Sequence, residues 1–182
     1  MSQRRSTLLI IDVQEAVLAG CADVDGVLRR INDLARRAHQ AGAAVVYVQH
    51  EDPEDPEMAP GSPGWQLASR LDRLVDQPLV AKRYRDSFAD TDLQALLAAS
   101  RTTHLVVVGA HSDYCVQTTA LSALAHGYDV TLVSDAHTAQ AAEILGGTLP
   151  ARTVVAFINE RVATLRYPNQ AIEVIPSDQV SF

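Results

Sequence analysis

The sequence predicts an α/β protein, a three-layer sandwich in which a six-stranded, mostly parallel sheet has helices on both faces. Short apolar runs alternate with segments of helical periodicity along the whole chain, and this alternation is the first observation. The second is that runs such as Thr7–Val13 are apolar at nearly every position, as in strands buried on both faces. The third is that no internal repeat or change of composition divides the 182 residues, so a single domain over 1–182 is predicted.

The strands are assigned from apolar runs and the helices from apolar residues at helical spacing. The predicted strands are Thr7–Val13, Ala43–Gln49, Pro78–Lys82, Thr103–Gly109, Asp129–Ser134 and Ala171–Ile175. The predicted helices are Val24–Ala41, Trp65–Leu74, Thr91–Ala99, Asp113–His126 and a long stretch from the fifth strand to about Leu165. Prolines and glycines make 50–64 a loop, of a length that often forms a lid or a pocket wall.

Composition disfavours several classes of function. The chain has 15 Lys plus Arg against 22 Asp plus Glu, and a net charge of −7 argues against nucleic acid as a partner. No apolar run reaches the about 18 residues of a membrane span, and the first residues contain no signal-peptide core. Two cysteines, Cys21 and Cys115, are too few for a disulfide framework. We therefore predict a protein of the reducing cytoplasm, with neither a nucleic-acid nor a membrane partner.

Polar residues at the carboxyl ends of the predicted strands are the candidates for a site, because ligands of open parallel sheets bind beyond these ends. These residues are Asp12, Gln14, His50, Lys82, His111, Ser112, Asp113, Cys115, Asp135 and His137. Among them, Asp12, Lys82 and Cys115 form a possible set of base, cation and nucleophile.

Cys115 lies where a strand turns into a helix, so the helix dipole and a nearby cation are expected to lower its pKa. Lys82 is the one lysine among the 15 basic residues, and its ammonium is a candidate for that cation. Each residue also has an ordinary explanation. Cys115 can be a small buried hydrophobe, Lys82 a chance exception, and Asp12 a cap of the following loop. Cys21 follows no strand and is assigned to packing.

Three segments, in this order, resemble the isochorismatase-like cysteine hydrolase family. They are Ile10–Gln14, then Lys82 with Asp86–Phe88 and Thr91–Leu93, then Gly109–Ala120. The resemblance extends from about Thr7 to Ile175. It implies a Rossmann-like fold, a catalytic triad of Asp12, Lys82 and Cys115, and a cis peptide bond between Ala110 and His111. It further implies that the backbone amides of His111 and Cys115 form one oxyanion hole.

Departures from the family pattern narrow the expected chemistry. Nicotinamidase members carry a metal-binding Asp-x-His pair after the second strand, and 49–57 has no such pair, so no metal and no cofactor is predicted. True isochorismatases have a small residue in place of the nucleophile, so Cys115 favours cleavage of an amide. The stretches 49–52 and 61–65 resemble the metal-free branch that includes streptothricin hydrolase, which opens a cyclic amide. The acidic residues of 50–57 are expected to form a solvated loop, and a contribution of His50 to the site is left open.

The predicted function is cleavage of a C–N bond of a small amide through an acyl-thioester on Cys115. Predicted substrate contacts come from Gln14, Trp65, Phe88 and His111, although packing would also explain Trp65 and Phe88, and a polar role at the turn would explain His111. The alternatives are a non-covalent ether or ester hydrolase that uses Asp12 alone, and a catalytically silent binding protein. An apolar outer stripe formed by Leu121, Leu124 and Ala125 suggests a homodimer or a larger homo-oligomer.

Overall fold

The computed structural model describes residues 4–74 and 76–182. The strands are β1 (Ser6–Ile11), β2 (Ala44–His50), β3 (Leu79–Lys82), β4 (His104–Ala110), β5 (Asp129–Thr138), β6 (Ala142–Ile144), β7 (Gly147–Leu149) and β8 (Ile172–Ile175). The helices are α1 (Glu15–Leu18), α2 (Val24–Gln40), α3 (Leu93–Ala99), α4 (Gln117–Ala125) and α5 (Ala151–Ala163). A π-helical turn, Ser112–Val116, precedes α4, and a 3-10 turn, Ser177–Gln179, follows β8.

Six strands form one sheet in the order β3-β2-β1-β4-β5-β8, and every neighbouring pair in it is parallel. Alternate side chains of β1 point to opposite layers, as the pleat requires. Leu8 and Ile10 pack with the buried face of α2, whereas Leu9 and Ile11 belong to the core that includes α3, α4 and α5. The predicted three-layer α/β fold is confirmed.

The predicted helix over Trp65–Leu74 is wrong. Backbone groups of this segment bond instead to the chain that follows β1. The Glu15 amide donates to the carbonyl of Gln66, and the Ala68 amide donates to that of Val13, at 3.0 and 2.9 Å. These long-range bonds, with an isolated antiparallel bridge between Gln14 and Leu67, hold the segment against the chain after β1, so the groups that make them are not available for a helix.

The long helix predicted after the fifth strand is also wrong over its first half. β5 continues to Thr138, β6 and β7 form an antiparallel hairpin, and only α5 is helical. Leu145 and Gly146 both have positive φ, 47° and 82°, which is the geometry of a two-residue hairpin turn. Pro150 then precedes the first turn of α5.

The proposed outer stripe on α4 is wrong at Leu124, which is only 1% exposed and lies in the core, whereas Leu121 and Ala125 are exposed. A homo-oligomeric state stays a prediction, and so does a cytoplasmic location. In the part of the chain that is described, no helix combines the length and the apolar character needed to cross a membrane.

Gly109 brings β4 unusually close to β1 just before the strands end. It pairs with Ile11, and its φ of 123° lies in a region that side chains rarely adopt. A Cβ atom on Gly109 would lie 2.0 Å from the Ile11 carbonyl oxygen. Only glycine therefore permits this approach, which sets the spacing between the residues that follow each strand.

Candidate active site

Three of the predicted site residues meet at the carboxyl ends of the strands. Lys82 ends β3, Asp12 follows β1, and Cys115 lies in the π-helical turn after β4. The Lys82 ammonium is 2.7 Å from Asp12 Oδ2 and 3.3 Å from Cys115 Sγ. Since β2 separates β3 from β1, only a long side chain on β3 reaches this point. A third bond from the ammonium, 3.1 Å to the carbonyl of Tyr84, completes its hydrogen bonding.

The ion pair of Asp12 and Lys82 is removed from solvent, since their side chains are 1% and 0% exposed. Only one carboxylate oxygen of Asp12 is used. Oδ1 is buried and has no hydrogen-bond partner among the described residues. Buried polar atoms are nearly always satisfied, so an open acceptor beside a thiol is a feature to explain. It is suited to accept a proton from Cys115.

The turn that carries Cys115 is connected to β5 and α5 by a chain of three hydrogen bonds. Ser112 Oγ bonds to His137 Nδ1 at 2.7 Å, and His137 Nε2 bonds to Asn159 Oδ1 at 2.9 Å. The Asn159 amide in turn donates to the carbonyl of Ser134. Burial lowers the pKa of His137 to about 4, so the ring is neutral at physiological pH. The network ties the turn to β5 and α5.

The peptide bond between Ala110 and His111 is cis. Within 4–74 and 76–182, the backbone amide of His111 donates to no acceptor. The His111 side chain is occupied, because its Nε2 lies 2.7 Å from the carbonyl oxygen of Val17. An unused backbone amide at this position is available to a ligand.

The thiol of Cys115 differs from the expectation of a lowered pKa. Burial, followed by the negative charge of Asp12, raises the pKa of Cys115 to about 12 against the opposing effect of Lys82. The helix dipole and one ammonium do not compensate for the loss of solvation. The resting site therefore holds a protonated thiol, and a thiolate forms only when the proton is taken by a base.

We expect no Cys115 thiolate below pH 9, as measured by the ultraviolet difference between thiolate and thiol. The raised pKa favours the protonated thiol in the folded state. This contribution to stability is complete below the unfolded value and is lost as pH rises toward about 12. The titration uses a Cys21→Ser background, because the pKa of Cys21 is also raised, to about 11. Asp12→Asn should lower the pKa of Cys115, since it removes the negative charge and leaves Lys82. A midpoint below pH 8 in the protein with Asp12 intact would contradict this.

A cavity of about 200 Å³ opens above the thiol. Its lining residues are Asp12, Val17, His50, Arg85, His111, Tyr114 and Cys115. Sequence reasoning had missed Val17, Arg85 and Tyr114. Two of them could have been predicted from their position in the sequence, because Tyr114 directly precedes Cys115 and Arg85 follows Lys82 by three positions. Val17 lies in α1, which no pattern had indicated.

Three predicted substrate contacts are absent from this lining. Gln14 is buried, and its side-chain amide donates to the carbonyls of His50 and Trp65, both at 2.8 Å, and accepts from the amide of His50. Phe88 lies in the core, stacked on His126 at 4.5 Å between ring centroids. The Trp65 indole is partly buried beside this region, and its backbone carbonyl is the shared acceptor of Gln14 and Gln49.

The last residue of β2 lines the cavity, and the acidic side chains of the loop that follows lie outside it. His50 lines the cavity, and burial together with the Lys82 charge lowers its pKa, so the ring is neutral at pH 7. The acidic side chains that follow His50 make ion pairs and hydrogen bonds that stabilise the loop. Glu51 pairs with Arg83, and Asp52 accepts the amide of Glu54. In the described part of the chain, no three His, Cys, Asp or Glu side chains are grouped as metal ligands.

Comparison with known proteins identifies the family. The family model described as the isochorismatase domain matches residues 6–144, a segment that contains Asp12, Lys82 and Cys115. The chain belongs to the isochorismatase family. Two streptothricin hydrolases of Streptomyces noursei are each 40% identical to it over 150 residues, which is 79% of this chain. The chain spans only 60% and 54% of the length of these two relatives.

The chain spans a larger part of two further isochorismatase-family proteins. The secreted isochorismatase effector Isc1 of Verticillium dahliae is 33% identical over 141 residues, 74% of this chain and 73% of that protein. The crystal structure of an isochorismatase from Pseudomonas putida superposes with a TM-score of 0.87 at 25% identity, over 97% of this chain and 90% of that one. The names of these relatives make this a family of hydrolases, with an α/β fold that matches the sheet described above.

Proposed function

We propose that the protein is a cysteine amidohydrolase that cleaves a C–N bond of a small amide, with cyclic amides among the candidates. One observation carries the proposal. A single buried ammonium bonds to a carboxylate and to a thiol, while the second oxygen of that carboxylate has no hydrogen-bond partner within 4–74 and 76–182. This arrangement supplies a nucleophile, a base that can take its proton, and a cation that stays in place throughout.

In the first half-reaction, the Cys115 thiol transfers its proton to Asp12 Oδ1 as Sγ attacks the amide carbonyl carbon. The C–S bond forms and the carbonyl oxygen becomes an oxyanion, which the backbone amides of His111 and Cys115 bind. Collapse of this intermediate breaks the C–N bond, and the leaving nitrogen takes the proton from Asp12. The product of this half-reaction is an acyl-thioester on Cys115.

In the second half-reaction, Asp12 removes a proton from a water molecule that attacks the thioester carbonyl. The C–S bond breaks, the carboxylic acid leaves, and the proton held by Asp12 returns to Sγ. Lys82 remains protonated in both half-reactions. Its ammonium favours the thiolate and the carboxylate over their neutral forms and keeps both groups oriented.

A protonated resting thiol is compatible with this sequence of steps. The negative charge of Asp12 that raises the thiol pKa also makes this carboxylate a proton acceptor, and proton transfer to it generates the nucleophile only during attack. The cavity volume of about 200 Å³ is below the about 300–1,000 Å³ of typical small-molecule sites, which favours a small substrate or one end of a larger one. The name of the streptothricin hydrolases further supports amide hydrolysis.

The experiment is to trap the thioester. The protein is mixed with linear and cyclic amides, quenched in acid, and analysed by intact mass and peptide mapping. A linear amide should add its acyl group, without the leaving amine. A cyclic amide should add its whole mass, because the ring opens and the nitrogen stays attached. The adduct should map to Cys115 and persist in a Cys21→Ala variant, since Cys21 lies outside the cavity lining.

The same experiment separates the alternatives. Hydrolysis without any adduct, even under rapid quench, would favour a non-covalent reaction in which Asp12 alone activates water. Binding of amides without hydrolysis or adduct would favour a catalytically silent binding protein. Either result would overturn the proposed acyl-thioester.

A further inference from the structure

Arg85 places a positive charge at the mouth of the cavity that contains Cys115. Its side chain is exposed, and it lines this cavity together with the thiol. No carboxylate among the described residues is within ion-pair distance of it. Other surface arginines also have no such partner. Arg85 differs from them because its unpaired charge lies at the entrance of the proposed active site.

The guanidinium of Arg85 is positioned by an aromatic ring. Its central carbon lies 4.1 Å from the centroid of the Tyr114 ring, and Tyr114 also lines the cavity. A guanidinium held over an aromatic ring is attracted by the face of the ring, and its N–H donors remain available to bind a second group. The planar set of donors matches the two oxygens of a carboxylate.

The backbone that carries Arg85 is fixed by the catalytic machinery. The carbonyl of Tyr84 accepts a bond from the Lys82 ammonium at 3.1 Å, and the carbonyl of Arg85 accepts a longer one from the Thr119 hydroxyl at 3.4 Å. The guanidinium thus starts from a backbone position that is tied to both the ion pair and α4. This limits how far it can move from the thiol.

The other charges in the cavity offset one another. Asp12 and Lys82 form a buried ion pair, the Cys115 thiol is protonated, and the His50 ring is neutral at pH 7. Arg85 therefore adds a positive charge to a site whose ionised pair is balanced. In a chain with a net charge of −7, this local excess of positive charge attracts an anion.

We propose that the substrate carries a carboxylate near its scissile amide, and that Arg85 binds this carboxylate at the mouth of the cavity. The inference rests on the proposed amide hydrolysis and adds the chemical class of substrate. Hydrolysis of a linear amide whose carboxylate is on the acyl side gives a dicarboxylate and an amine. A cyclic amide of this class gives an amino dicarboxylate.

The test compares two alkylating reagents, iodoacetate and iodoacetamide, on Cys115 in a Cys21→Ser background. Both react at the same type of carbon, and labelling is done at about pH 10, where a thiol of pKa about 12 is roughly 1% thiolate. The ratio of the two labelling rates, iodoacetate over iodoacetamide, measures the preference for a carboxylate without requiring turnover. We expect Arg85→Gln to lower this ratio by about tenfold, which is the loss of one charge-assisted contact. Added salt should lower the ratio in the protein with Arg85, because the site is open to solvent.

Arg83→Gln is the matched control, because Arg83 is also exposed, lies two positions away and is not part of this cavity lining. It removes a positive charge from the same loop and leaves Glu51 without its ion-pair partner. The ratio should stay within about twofold of its original value, because both Arg83 and Glu51 lie outside the cavity lining and solvent screens charges there. Arg85→Lys should retain part of the preference, since it keeps the charge and loses the planar donors. Hydrolysis of succinamate against succinamide gives a second ratio, which Arg85→Gln should lower in the same direction.

Equal labelling ratios with and without Arg85 would overturn the inference, even if amides are hydrolysed. A ratio that depends on Arg85, in a protein that hydrolyses no amide of the panel, would overturn the proposed function and leave the carboxylate site standing. If neither reagent labels Cys115 even at about pH 10, where some thiolate is present, both proposals fail, since a thiolate that no small electrophile reaches is neither a nucleophile nor next to a ligand site.

Discussion

A Cys115→Ala variant should lose hydrolysis almost entirely, with kcat/KM lower by at least about 10⁴-fold, as when the nucleophile of a catalytic triad is removed. The backbone amides and the cavity remain, but no acyl-thioester can form. The fold should persist, because the substitution removes one sulfur atom and leaves the buried ion pair of Asp12 and Lys82 in place. The free energy of unfolding should change by less than about 2 kcal/mol.

The measurement pairs steady-state kinetics on the best amide substrate with denaturant unfolding of the same preparations. Cys115→Ser is a second variant, and it should be inactive as well, because a hydroxyl is a far weaker acid than a thiol and is not activated to the same extent by Asp12. Cys21→Ala is the control and should keep its activity, because Cys21 is not part of the cavity lining and its Sγ donates to the carbonyl of Val17. Activity within tenfold of the original in Cys115→Ala would refute covalent catalysis.

A Lys82→Met variant should be strongly destabilised, by about 3–5 kcal/mol in the free energy of unfolding. The substitution leaves the Asp12 carboxylate, 1% exposed, buried without its counter-ion. The double variant Asp12→Asn with Lys82→Met removes both charges and should recover much of the loss, since two neutral side chains carry no such desolvation penalty. Both variants should be inactive.

The unfolding free energies of the original protein, of Asp12→Asn, of Lys82→Met and of the double variant form a double-mutant cycle. The exposed pair of Arg70 and Asp25, 61% and 68% exposed, is the matched control. Arg70→Met should cost less than about 1 kcal/mol, because solvent screens a surface ion pair. If Lys82→Met lowers the free energy of unfolding no more than Arg70→Met does, the buried ion pair does not stabilise the fold as its burial and geometry indicate.

Local sequence patterns predicted most of the sheet, because buried parallel strands and amphipathic helices have distinctive spacing. α2 was predicted as Val24–Ala41 and is observed at Val24–Gln40. The hairpin β6–β7 was missed because its apolar and small residues also suit a helix. Its turn depends on positive φ at Leu145, a residue that seldom marks such a turn. The segment 65–74 was missed because its partners lie some 50 residues earlier in the chain.

The meeting of Asp12, Lys82 and Cys115 was predictable, since parallel strands place their carboxyl ends at one edge of the sheet. The properties of the site were less so. The pKa of Cys115 depends on burial, which the sequence does not specify, and the expected lowering by Lys82 is outweighed. The contact between the Arg85 guanidinium and the Tyr114 ring joins the segment after β3 to the π-helical turn. The two residues are 29 positions apart, and the sequence alone shows no relation between them.

The hydrogen bonds of Gln14 have a consequence for protein engineering. A single side-chain amide bonds to the residues at both ends of the loop, His50 and Trp65. The two ends are therefore held together by a residue that lies outside the loop. Within that chain, Met58 is buried and anchors the loop from inside. Changing the length of a closed loop costs little, about 0.6 kcal/mol for each doubling. Residues 52–57 and 59–63 can therefore be exchanged around a retained Met58, in order to place new side chains next to His50 without changing the nucleophile.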